Sequence, residues 1–99
     1  VSVDPFDTPN EPFYIPEELK RAVKDIVYEL LRATANHGPM YSAHEGHSII
    51  EEEYEELKEH VFTKQGRRDV EAMRAEAVQL GAMALRFIID IVDSGNGQR

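Results

Sequence analysis

An all-α fold, an antiparallel bundle of three main helices, is the architecture this sequence predicts. Apolar residues recur at three- and four-residue spacing in three separate stretches. Each stretch is bounded by recognisable helix start and stop residues. At 99 residues the chain is the size of one domain. Its 41% hydrophobic and 30% charged residues suit a globular core rather than disorder.

Residues 1–16 hold four of the five prolines (Pro5, Pro9, Pro12 and Pro16) with Phe6 and Phe13. Proline fixes φ and removes a donor, so an extended N-terminal arm is expected, pinned by its aromatics or frayed. The helical domain is expected over 17–94, with a flexible tail over 95–99. Pro16 opens the first helix, Glu17 and Glu18 suit its positive end, and Gly38-Pro39 ends it after about Asn36. Its apolar stripe is Leu19, Val23, Ile26, Val27, Leu30 and Leu31. Ser42-Ala43-His44-Glu45 matches a capping box, so the second helix should run from about Ala43 to Phe62, with Ile50, Tyr54, Leu57 and Val61 facing the core. Asp69 caps the third, expected to run to about Asp93 before Ser94-Gly95-Asn96-Gly97. This last helix is apolar on more than one side, and Ala77, Gly81 and Ala84 form a small-residue strip. Three helices of this length cannot wrap it completely, so completion by oligomerisation, as a homodimer or homotetramer, is expected.

A net charge of −8 and a pI near 4.9 disfavour bulk nucleic-acid binding. The chain has no cysteine, which removes disulfide and thiolate-metal chemistry. No apolar run reaches the roughly 18–20 residues of a membrane span, and the N-terminal residues lack the basic flank of a signal peptide. A cytoplasmic location without membrane contact is therefore expected. His44-Glu45-Gly46-His47 misses the HExxH zinc spacing, because position 48 is Ser48.

The densest chemistry lies in Glu52-Glu53-Tyr54-Glu55-Glu56 and, twenty residues beyond its last glutamate, Glu76. Glu52 and Glu56 share a helix face, with Glu53 at its edge. Crowded carboxylates repel one another unless a hard cation sits among them, and oxygen-only sets suit Mg²⁺. A solvated helix face paired with nearby Lys and Arg is the alternative. Glu76, however, sits on the most apolar helix, where an unpaired carboxylate is costly. The intervening turn allows the third helix to run antiparallel to the second and bring Glu76 opposite the cluster.

With these segments in order, the chain resembles the MazG-like nucleoside triphosphate pyrophosphohydrolases, an all-α family that includes the dimeric dUTPases and carries EExxE on one helix and ExxD on the next. Glu52 through Glu56 match the first half, and Glu76-Ala77-Val78-Gln79 matches the second in its glutamate alone. Ser42–Gly46 and Ala82–Phe87 resemble a phage-associated branch, and the similarity spans about residues 18–93. The resemblance implies hydrolysis of a nucleoside triphosphate to the monophosphate and pyrophosphate, with Mg²⁺ (or Mn²⁺) as cofactor. It implies Glu53, Glu56 and Glu76 as metal ligands, Gln79 in the position of the family's aspartate, and Glu52 as a further ligand or the residue that orients the attacking water. Gln79 offers a neutral oxygen where the family has an anion. Asp90 lies eleven residues further on, about 16 Å along the axis, too far to substitute. A non-catalytic MazG-like oligomeric binding or interaction protein of phage or prophage origin is the alternative.

Overall fold

Helix α1 spans Glu17–His37, α2 spans Ala43–Val61 and α3 spans Val70–Phe87 in the computed structural model, which describes residues 14–99. The expected extended arm falls almost wholly on residues 1–13, outside the described residues; Tyr14, Ile15 and Pro16 are non-helical. The start and stop signals act as their chemistry requires. Pro16 is the N-cap residue of α1, and Gly38, at φ 70°, ends it with its N–H on the Thr34 carbonyl. Ser42 Oγ accepts the Glu45 N–H at 3.1 Å, and Asp69 Oδ1 accepts the Ala72 N–H at 3.0 Å.

The third helix departs from the single rod expected to Asp93. After Phe87 the backbone widens into a π-helical segment, Ile88–Val92, closed by the Asp93 N–H on the Ile88 carbonyl at 2.8 Å. The wider turn buries Ile91 completely and turns Asp90 toward the α1–α2 loop. Residues 95–99, expected as a flexible tail, fold back so that the Arg99 carbonyl accepts the Ala43 N–H at 2.9 Å, at the start of α2.

Helix α3 is the centre of the fold. Both α1 and α2 pack along it and scarcely touch each other. Helix α2 is antiparallel to α3: Gly46 lies against Phe87, and Glu53 and Glu56 lie against Glu76. Helix α1 runs in the same direction as α3, with Asp25 paired to Arg74 at 2.8 Å and Ile26 seated on Gly81. The core consists of Ala33, Met40, Ala82, Met83 and Ile91, with Ile26, Leu30, Ala43, Ile49, Ile50 and Phe87 packed around it.

The α1 stripe is split by this arrangement. Ile26 and Leu30 face the core, whereas Leu19, Val27 and Leu31 remain exposed. Tyr54, expected in the core, is 51% exposed, and Val61 also faces solvent. The inner face of α2 instead follows Gly46, Ile50, Glu53, Leu57 and His60, with Ile49 and Glu56 beside it. Alternating steps of four and three mark that line as a helix–helix seam. Among the described residues no helix is long and apolar enough to cross a membrane.

Candidate functional site

A seam between two helices is normally apolar, and this one is interrupted by carboxylates. Glu53 occupies a seam position of α2 and Glu56 lies beside it, while Glu76 projects from α3. Antiparallel packing brings one carboxylate oxygen of each to within 4.8 Å of the others. All three side chains are half-buried. Oε2 of Glu53 and Oε2 of Glu76 are shut off from solvent and have no hydrogen-bond partner. Such unpartnered buried acceptors are rare in folded proteins and ask for a ligand or a proton.

Two arginines of α3 are engaged elsewhere. Arg74 pairs with Asp25. Arg86, almost wholly buried, donates from Nη2 to the Gly38 carbonyl and sits 3.9 Å from Asp90. Asp90 itself accepts the Met40 N–H at 3.0 Å, so it clasps the α1–α2 loop and stands apart from the cluster, as its distance along the helix requires.

The electrostatics follow from that placement. Burial, then repulsion from Glu56, Glu76 and Glu52, pushes the Glu53 carboxyl up from 4.5 to about 7. Glu76 is also raised, first by burial and then by the adjacent Glu56, with His60 opposing the rise. His60 lies one turn beyond Glu56 on the same face. Its i+4 spacing from Glu56 is visible in the sequence, whereas its approach to Glu76 depends on the helix pairing. His44 and His47 are both exposed and lie outside the carboxylate group.

Glu52 and Gln79 stand next to the trio rather than in it. Because α1 and α2 scarcely touch, a groove runs between them with α3 as its floor. It encloses a cavity of about 390 Å³. Gln79, Met83 and Arg86 form the floor, Arg32 and Ala33 one wall, and Ile49, Glu52 and Glu53 the other. Glu53 is thus shared between the cluster and the cavity, and Glu52 is exposed at the cavity's edge. The Gln79 amide has no hydrogen-bond partner among the described residues, and its atoms are not sealed in the core. The exposed Arg68 of the α2–α3 turn donates from Nε to the Val61 carbonyl at 2.8 Å.

Three carboxylates offer hard, anionic oxygens, and two of those oxygens lack any partner, so the donor set fits a divalent cation of the Mg²⁺ or Mn²⁺ type. No protein-family model, curated protein or solved structure matches the chain.

Proposed function

We propose that this protein is a divalent-metal-dependent hydrolase of nucleoside triphosphates, a MazG-like pyrophosphohydrolase that releases the monophosphate and pyrophosphate. The observation that carries the reading is the use of helix-seam positions for carboxylates whose buried oxygens have no partner. Purely structural packing would favour apolar side chains or paired charges there. The reaction class comes from the resemblance of Glu52–Glu56 and Glu76 to the family motif.

Glu53, Glu56 and Glu76 would hold Mg²⁺ or Mn²⁺. The bound ion would supply positive charge against the triphosphate and a more acidic water. The residues' own contributions are distinct. Glu53, pushed up to about 7 by burial and its acidic neighbours, gives up its proton as pH rises through neutrality, and a cation binds the deprotonated form. Glu52, exposed beside Glu53, is free to accept a proton from an attacking water. The groove beside both would receive the substrate.

Completion of the exposed α1 and π-helical apolar faces by further copies of the chain belongs to the same reading. A second reading, a non-catalytic binding module, is favoured by one observation: Gln79 contributes no charge to the trio.

Thermal melting with Mg²⁺ or Mn²⁺ tests the metal site, since an ion held only by the folded state must raise the midpoint. The expected result is a rise that Glu53→Ala and Glu76→Gln remove. A panel of nucleoside triphosphates assayed for pyrophosphate tests the reaction, with Glu53→Ala as control. No midpoint shift at millimolar metal would overturn the proposal. Pyrophosphate release seen only in Gln79→Asp would favour the binding module.

A further inference from the structure

The direction of the α2–α3 pairing gives the groove an order. Stepping along α3 from Glu76 to Gln79, Met83 and Arg86 is matched on α2 by stepping back from Glu56 to Glu53, Ile49 and Glu45. The carboxylate cluster therefore ends where the cavity begins, and Glu53 is the boundary. From Gln79 to Arg86 the floor extends seven residues, about 10 Å, a length suited to a nucleoside beside a metal-held triphosphate.

The walls of the cavity are chemically mixed. Ala33, Ile49 and Met83 give apolar contact for a flat ring. Gln79 is the one carboxamide on the floor, and its amide has no hydrogen-bond partner among the described residues. Arg86 closes the far end, buried to 4% exposure, with its Nε shut away and unpaired by hydrogen bonding. A carboxamide presents a donor and an acceptor side by side, the pattern that complements a nucleobase edge.

We infer that Gln79 is a specificity-determining residue that reads the nucleobase in this cavity, rather than a metal ligand. This rests on the reading of the Glu53, Glu56 and Glu76 cluster as the metal and triphosphate site. The substitution of Gln for a carboxylate then moves position 79 from holding charge to recognising a base. A floor built to hydrogen-bond a base edge rejects the wrong edge, because the amide is left unpaired.

Two measurements separate this inference from the reading beneath it. The first uses the wild-type chain in EDTA with deoxynucleoside monophosphates, observed by NMR. The side-chain amide of Gln79, one of three glutamines, is assigned by its disappearance in Gln79→Leu. It is expected to shift at millimolar concentrations of at least one monophosphate and by different amounts among dAMP, dGMP, dCMP, dTMP and dUMP. The second measures Mn²⁺ affinity by electron paramagnetic resonance and kcat/KM over the corresponding triphosphates. Gln79→Leu should reduce the ratio between the best and worst triphosphate about tenfold or more, while Mn²⁺ affinity stays within about twofold. A Mn²⁺ affinity that falls about tenfold with the ratios preserved would make Gln79 a metal ligand and overturn the inference. A Gln79 amide unmoved by every monophosphate overturns it as well. Failure of the wild type to bind Mn²⁺ overturns the hydrolase reading instead, and the amide shift still decides the role of Gln79.

Discussion

Glu53 carries two conflicting demands. As part of the α2 seam it loses hydration, and as a neighbour of Glu52, Glu56 and Glu76 it loses more by repulsion. Its carboxyl titrates near 7 in the fold against 4.5 for the unfolded chain. Between those values the folded protein holds a proton that the unfolded chain has released. Stability therefore falls as pH rises through that window, and the full destabilisation is present above about 7. A metal site responds in the opposite sense, because the cation binds the deprotonated carboxylates. In EDTA, the melting midpoint of the wild type should drop more between pH 5 and pH 8 than that of Glu53→Gln. With Mn²⁺ present, the metal-induced rise should grow over the same interval and vanish in the variant. Superimposable pH profiles for the two proteins in EDTA would show that Glu53 is not under this strain.

At the scale of elements, what the sequence discloses is the helices and what it hides is their pairing. Helix starts were legible because Ser42, Asp69 and Pro16 act locally. The split of the α1 stripe, the outward turn of Tyr54 and the π-helical widening after Phe87 were not legible, because each depends on which neighbour a helix meets. The Glu53, Glu56 and Glu76 meeting was legible from spacing and antiparallel return; the groove beside it was not, since nothing local says that α1 and α2 stay apart. Gly46 shows the same dependence. A Cβ there would lie 2.6 Å from Phe87 Cδ2, so the glycine serves close packing of α2 on α3. Gly46→Ala gains up to about 1 kcal/mol of helix propensity and incurs overpacking of about 1–3 kcal/mol. A net loss of about 1 kcal/mol in urea denaturation is expected, and Phe87→Leu in the same chain should recover most of it. A stabilised single variant would mean that the ring moves aside without cost. Arg86 ties the other end of α3 to the α1–α2 loop through Gly38, beside Asp90. Arg86→Leu strands a mostly buried Asp90 and the Gly38 carbonyl, with an expected loss of about 3 kcal/mol. The Asp90→Asn partner substitution should be less than additive with it.

The molecule as a whole is less closed than its length allows. Its Cα radius of gyration is 15.7 Å, against about 13 Å for a compact domain of this size. Among the described residues only five hydrophobic ones are buried, while Leu31 on α1 and Ile88, Ile89 and Val92 on the π-helical segment remain about half exposed. Ala77 and Ala84 of the small-residue strip also face outward, while Gly81 receives Ile26. Each half-exposed aliphatic side chain has about 1 kcal/mol still to gain from burial. Contributed by both partners of a dimer, four such side chains per chain amount to about 8 kcal/mol, comparable with the 4–15 kcal/mol that association costs in lost freedom. A contact so finely balanced should fail on one introduced charge. Sedimentation velocity at high micromolar concentration is expected to show a dimer or tetramer for the wild type, and Leu31→Glu or Ile88→Glu should return it to monomer with helicity unchanged. A monomeric wild type would leave these faces open in solution and remove self-association from the proposed function, while the metal cluster, contained within one chain, would still raise the melting midpoint with Mn²⁺.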